Sequence, residues 1–391
     1  MTAAVIRMLD DERLRPAAAR VRPDVDPDEV IARVAWSVLV EPGDGVAGTL
    51  IAEHGARRAL QMAVGESSLL APGSLGSQQL SEALARWRPR ARAQAVVDAM
   101  ASCADIGGRL LLPGDELWPA GLDDLGVHGP LVLWARGDLR ACAGPATVSI
   151  VGARAATGYG ESVAAELAGD LAASGVVVIS GGAYGIDGAA HRAALGAGGT
   201  TIAFLAGGMD RAYPAGHQQL FDRIRARGAV LSEVPCGSAP TKWRFLQRNR
   251  LIAAAGMATV VVEAGWRSGS LNTAGHAAAL GRPLGAVPGP VSSAASAGCH
   301  RLLREYDAVC VTSAQDVREL WDDVVAEPVP TESISPDQIR LLDALSGRTP
   351  RDASEIARLS GLDASRVRSL LGLLGLDGTV EQVRDGWRRT S

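Results

Sequence analysis

The stretch Lys242-Trp243-Arg244-Phe245-Leu246-Gln247-Arg248-Asn249-Arg250 carries four cations, two aromatics and no acid. Cations answer backbone phosphates, and aromatic faces stack on unpaired bases. Lys242 is the only lysine in the chain. The stretch falls between a strand pattern at Ala229–Ser232 and a helical pattern from Leu246, so it reads as a loop at one end of a sheet. A surface loop whose aromatics plug the core would look similar, and a mixed outcome is expected, with one aromatic buried and the other exposed.

Three further places offer groups for a phosphate. Thr147–Arg192 holds two apolar strand patterns, and each empties into a glycine-rich turn and then a helix. The turns are Gly152-Ala153-Arg154 and Ser180-Gly181-Gly182-Ala183-Tyr184-Gly185. Strand, turn and helix in that order bring backbone N–H groups and a positive helix end to one point. Arg267-Ser268-Gly269-Ser270 follows another strand pattern, where hydroxyls and N–H groups at a helix start suit a phosphate or a base edge, or simply cap the helix. A mononucleotide needs one such pocket, whereas several in a row suit a strand of nucleic acid.

Several chemistries drop out. A P-loop needs a lysine after its glycine, and Lys242 follows Pro240-Thr241, so a Walker-type ATPase is excluded. The second turn spaces its glycines G-G-x-x-G-x-x-G, which disfavours NAD. Neither HExxH nor G-x-S-x-G occurs. Asp187 and His191 share a helix face, but no third metal ligand is evident. They read as a carboxylate at a positive helix end with a packed histidine behind it. No cofactor or metal is expected.

These residues need a scaffold. The 391 residues are 47% hydrophobic and 4% aromatic, with net charge −4, enough for a large aliphatic core in two or three domains. The chain is not a polycation, so any nucleic-acid surface must be a local patch. Five cysteines without a CxxC pair suggest reduced, mostly buried thiols. Acids interrupt the N-terminal segment, and no apolar run has the length of a membrane span. A cytoplasmic protein with no membrane partner is expected.

Residues 1–29 read as a polar mobile tail. Residues 30–103 are helical, and helix–GDG–helix around Gly43-Asp44-Gly45 suggests a small SAM-like or helix-hairpin-helix-like domain. Packing is its expected role, because acids flank the turn. Residues 104–321 alternate Val/Ile/Ala-rich strands with helices, the pattern of an extended Rossmann-like, doubly wound, mostly parallel α/β sheet. Ligands are expected at the carboxyl ends of its strands. Residues 322–336 read as an acidic, proline-bearing linker. Residues 337–391 read as a winged-helix domain, with Ala357, Gly361 and Val367 at helix-turn-helix positions. Its nine arginines against eight acids make protein contact at least as good a reading as DNA binding.

Seven ordered motifs now bear on identity: VGARAATGYG, SGGAYGIDGAAHR, LAGGMDRAYP, LSEVPCG, FLQRNRLIA, VVEAGWRSGSLNTA and AVPGP. Together they resemble the DNA-processing protein A (DprA/Smf) family of bacteria, closely over 104–321. The resemblance implies a single-stranded DNA-binding recombination mediator, without catalysis, that protects incoming DNA. It also implies homodimerisation and loading of the RecA recombinase during natural transformation. Carried over, Arg154, Ser180, Gly181, Gly182 and Gly185 contact phosphates. Lys242, Phe245, Asn249, Arg250, Ser268, Gly269 and Ser270 line the strand path. Tyr184 stands where the family keeps an arginine; it is expected to hydrogen-bond a phosphate or stack on a base, and the charge shifts onto neighbours such as Lys242 and Arg244, with Arg248 in the same cluster.

Two other readings compete. A nucleotide phosphoribohydrolase of the lysine-decarboxylase-like Rossmann fold would use Glu263 in Val262-Glu263-Ala264, but its Pro-Gly-Gly loop is missing. A transcription regulator would act through 353–391, and the near-neutral second helix there argues against it.

Overall fold

The structure is a computed structural model. It describes residues 11–65, 75–321, 335–347, 349–376, 378–384 and 386–390. The chain divides into two compact units, Met1–Asp323 and Val324–Ser391.

The first unit opens with a helical layer: α1 (Leu14–Val21), α2 (Pro27–Leu39), α3 (Gly45–His54), α4 (Ala56–Val64), α5 (Ser77–Trp87) and α6 (Ala93–Asp105). Here the expectation of a mobile tail fails. Residues 1–10 lie outside the described residues, but α1 buries Leu14, Ala17, Ala18 and Val21. Their spacing puts all four on one helix face, a signal obscured by the prolines and acids around it. In α2, Pro27 occupies the first turn and the Asp26 side chain accepts from the Asp28 N–H, a strong start signal. Trp36 and Trp87 meet edge to face at 5.2 Å in the middle of the layer.

The strands follow as β1 (Arg109–Leu111), β2 (Leu133–Gly137), β3 (Thr147–Val151), β4 (Val177–Ser180), β5 (Thr201–Leu205), β6 (Ala229–Ser232), β7 (Ala258–Val261), β8 (Leu284–Ala286) and β9 (Val309–Cys310). Among the described residues these nine form one sheet in the order β1-β2-β6-β5-β4-β3-β7-β8-β9. β2 pairs antiparallel with both β1 and β6, and every pairing from β6 through β9 is parallel. The helices between strands are α7 (Gly158–Ala173), α8 (Ile186–Gly196), α9 (Gln218–Arg227), α10 (Lys242–Ala255), α11 (Ser270–Ala279) and α12 (Ala297–Glu305), and α13 (Ala314–Arg318) follows β9. This is the Rossmann-like, doubly wound sheet expected. Both faces are covered: Val148 and Ile150 of β3 pack with Leu167 and Leu171 of α7 on one side. Val151 packs with Leu251 and Ile252 of α10 on the other. Burial of alternate residues on opposite faces is why the strands show no polar alternation.

The helical layer is not a detached domain. Its core runs on into Trp134, Ala203, Leu205 and Val230 of the sheet as one cluster.

The strand order reverses between β3 and β7. β4, β5 and β6 extend one way from β3, and β7 and β8 the other. Loops diverge at such a point and leave a crevice beyond the strands' carboxyl ends.

The second unit contains α14 (Pro336–Ala344), α15 (Ala353–Ser360), α16 (Ala364–Leu376), β10 (Val380–Val383) and β11 (Gly386–Arg389). Three helices and an antiparallel hairpin share their own core, including Leu341, Ile356, Val367, Leu370 and Val380. This is the expected winged helix. Of the expected linker, 322–334 lie outside the described residues. Ser335 and Pro336 belong to α14 instead, with the Ser335 hydroxyl accepting from the Gln338 N–H.

Candidate nucleic-acid interface

A cleft of about 740 Å³ opens at the β3/β7 reversal. One wall is the turn after β3, with Gly152 and Arg154. A second is the loop after β7, with Arg267, Ser268, Gly269 and Ser270. The third is the start of α10, with Lys242, Phe245, Arg248 and Asn249. Three separate stretches singled out in the sequence therefore converge on one opening.

The cationic stretch is not a loop. Thr241 caps α10, its hydroxyl accepting from the Arg244 N–H, and the helix begins at Lys242. A helical period then sorts its nine residues by direction. Lys242 and Trp243 are exposed and Phe245 is half-buried, the mixed outcome expected of the two aromatics. Arg154 lies over the Phe245 ring, 4.5 Å from its centroid, and Tyr213 packs on the same ring at 5.4 Å. Arg154, Lys242 and Arg267 make no ion pair among the described residues, and all three are exposed.

Arg248 lies deeper. Its Nη1 donates to the carbonyls of Gly181 and Phe204, each at 2.6 Å. Burial lowers its pKa to about 10, opposed by the charge of Asp187, so it stays cationic at neutral pH. Burial also raises the pKa of Asp187, while Arg248 pulls it back down. Among the described residues, Asp187 is the only acid on the cleft wall, against the four cations Arg154, Lys242, Arg248 and Arg267.

The second glycine turn does not face outward as expected. The Gly181 and Ala183 N–H groups donate to Asp187 Oδ2 at 3.2 and 3.3 Å. The carboxylate occupies the place of an anion in the turn. Ser180 is fully buried and donates to the Ile150 carbonyl at 2.6 Å. A Cβ on Gly182 would fall 2.6 Å from the Phe221 ring, and one on Gly185 2.3 Å from the Ala153 carbonyl. Ser180 and Gly181 therefore donate within the protein, and Gly182 and Gly185 are required by the close packing of the turn. Tyr184 is half-exposed and meets His217 edge to face at 4.7 Å. It stands outside the cleft wall. The structural reading of Asp187 and His191 holds: His191 is buried, with Nδ1 2.7 Å from the Thr201 hydroxyl.

Two arginines are not part of the cleft. Arg250 was expected on the strand path, but it is buried and paired to both oxygens of Glu233 at 2.6 and 2.8 Å. Arg244 bonds Glu41 at 2.9 and 3.2 Å. Both residues lie where the Glu41–Asp44 turn of the helical layer seats on α10, and a Cβ on Gly43 would meet Gln247 and Arg250. The turn between α2 and α3 thus faces protein, as the packing expectation held, and not a nucleic-acid backbone. Asn249 donates to the Gly269 carbonyl and the Asn272 side chain. The Ser268 and Ser270 hydroxyls bond each other at 2.7 Å.

Glu263 cannot serve a hydrolase as exposed base. It is buried and accepts from the Thr157 N–H and hydroxyl at 2.8 and 2.7 Å, tying the β7 loop to the start of α7.

Sequence reasoning missed Tyr213, whose neighbours 205–214 formed a motif without an assigned role. Arg267 was read as part of a phosphate-suited stretch but not named as a contact itself. No local pattern marks either one, because their partners come from other loops.

The sequence profile described as "DNA recombination-mediator protein A" matches residues 109–322, and the "DprA winged helix domain" profile matches 325–386. The chain belongs to the DNA recombination-mediator protein A (DprA) family. A putative DprA of Mycobacterium tuberculosis is 49% identical over 301 residues, 72% of this chain and 77% of that one. DprA of Streptococcus pneumoniae is 41% identical over 207 residues, 52% of this chain and 71% of that one. A solved Streptococcus pneumoniae DprA matches with TM-score 0.60 and 31% identity, covering 75% of this chain and 98% of that one. A Helicobacter pylori DprA, solved for its single-stranded DNA binding mode, matches with TM-score 0.50 and 30% identity over 54% and 94%. The DprA profile spans every strand of the large sheet and all three cleft walls. Among the described residues, no helix is long and apolar enough to cross a membrane. No group of three or more His, Cys, Asp or Glu there is placed to hold a metal. The five cysteines are free thiols, with Cys310 exposed and the others buried.

Proposed function

We propose that the cleft binds single-stranded DNA without sequence preference, and that the chain acts as a cytoplasmic recombination mediator. The observation that carries this reading is the set Arg154, Lys242 and Arg267, three exposed cations around the half-buried Phe245 ring that have no acidic partner among the described residues. Point charges around an aromatic suit a phosphate chain with unpaired bases, and the nearby Asn249, Ser268 and Ser270 side chains bond within the site. A duplex hides its base faces and gains less from such a site. The assigned role is to bind and present DNA, with no catalytic step and no cofactor. Family membership supports the wider role: a homodimer that protects incoming strands and loads RecA onto them during natural transformation.

The primary test is a titration of labelled single and double strands of equal length. Tighter binding of oligo-dT, with affinity falling as salt rises, is expected; equal affinity for the duplex would overturn the reading. RecA loading is tested separately, by strand exchange on DNA coated with single-strand-binding protein, with and without this chain.

A further inference from the structure

The exposed aromatics are not scattered. All four tyrosines are exposed, but only two of the eight tryptophans, Trp243 and Trp266, are. Five of these six rings sit on the connections that leave the carboxyl ends of five adjacent strands. In sheet order they are Trp243 after β6, Tyr213 after β5, Tyr184 after β4, Tyr159 after β3 and Trp266 after β7. Their exposures run from 45% to 58%. Five neighbouring strands at about 4.8 Å spacing span about 19 Å, a run of several nucleotides rather than one.

We propose that these rings form a base-stacking row along the carboxyl edge of the sheet, extending the cleft on both sides with Trp243 and Trp266 at its ends. The occupant is the unpaired bases of the same DNA strand, so the proposal rests on the cleft reading. Three observations support it. The row is continuous with the cleft, because Trp243 follows Lys242 and Trp266 precedes Arg267, both on the cleft wall. The Arg301 guanidinium lies 5.2 Å from the centre of the Trp266 ring. It is also paired to Glu305 at 2.8 Å, which holds it in place and leaves Trp266 largely open to solvent. Finally, a tryptophan left more than half exposed gains little for the fold. Tyr184 acquires a role in this arrangement: it supplies a ring to the row instead of a charge to the cleft.

Stacking and phosphate contact are separable. Every base has a π-face, and stacking is worth about 1–3 kcal/mol per base, roughly five-fold to over a hundred-fold in affinity. The experiment compares oligo-dT with an abasic oligomer of the same length, read by intrinsic tryptophan fluorescence and by anisotropy of the labelled strand. Oligo-dT should quench the tryptophan emission and bind at least ten-fold tighter than the abasic strand. Trp266→Ala and Trp243→Ala should each weaken oligo-dT by five-fold or more with an unchanged salt slope, and Trp266→Phe should restore most of the loss. Equal binding of the abasic strand, or alanine variants with wild-type affinity, would overturn the row and leave the cleft reading standing. Failure of the wild type to bind oligo-dT at all would overturn both.

Discussion

Lys242 and Arg250 stand on one helix, eight positions apart, and their side chains have opposite fates. Lys242 reaches solvent at the cleft mouth, whereas Arg250 is sealed against Glu233. Their substitutions should differ accordingly. Lys242→Ala should leave stability unchanged and flatten the dependence of log affinity on log salt by about 0.7, the value of one phosphate contact on a single strand. The check is oligo-dT titration at several salt concentrations. Arg250→Ala strands the Glu233 carboxylate in the interior, which costs about 3–5 kcal/mol. Urea unfolding should show that loss directly. If Arg250→Ala were fully stable but weak in DNA binding, its assignment to the fold would be wrong. Both residues were equally visible in the sequence as cations. Their difference was not, because Glu233 arrives from the bend that follows β6.

At the scale of elements, the site depends on loops pressed together at the β3/β7 reversal. Ala153 N donates to the Glu263 carbonyl at 2.7 Å and Ile186 N to the Ala153 carbonyl at 3.2 Å, so the turns after β3, β4 and β7 interlock. Gly185 makes this possible: its φ is 71°, and no room exists for a Cβ beside the Ala153 and Arg154 carbonyls. Gly185→Ala should cost about 2 kcal/mol or more from left-handed backbone and close approach together. A lowered unfolding midpoint accompanied by weaker oligo-dT binding is expected, since Arg154 hangs from the same turn. Strand and helix order here was legible from hydrophobic runs ending in glycine. The interlock was not, because a glycine-rich turn reads the same whether its N–H groups meet a phosphate or, as here, the carboxylate of Asp187.

Across the whole molecule, two properties follow from burial. The winged helix has its own core and forms its own compact unit. Calorimetry should therefore show a separate transition for it, and a chain ending at residue 323 should retain oligo-dT binding; loss of binding would place part of the interface beyond that point. The large unit also carries acid sensitivity. Burial lowers the His191 pKa to about 3, against about 6.5 when unfolded. The unfolded chain then takes up the proton first, so this contribution is complete above about pH 6.5 and declines as pH falls toward 3. Urea midpoints measured from pH 7.5 to 4.5 should drop, and less steeply in His191→Gln; identical slopes would remove His191 as the cause. By itself the sequence determined the α/β architecture, the three stretches that meet at the cleft, and the absence of a P-loop. Those properties are written in local periodicity and in residue types at fixed spacing. Only the tertiary structure decided which cations remain free and which are locked to Glu41 and Glu233. It also turned the second glycine turn inward onto Asp187 and set five exposed rings along one sheet edge. Each of these depends on which distant segment the sheet order brings alongside, and no local pattern encodes that neighbour.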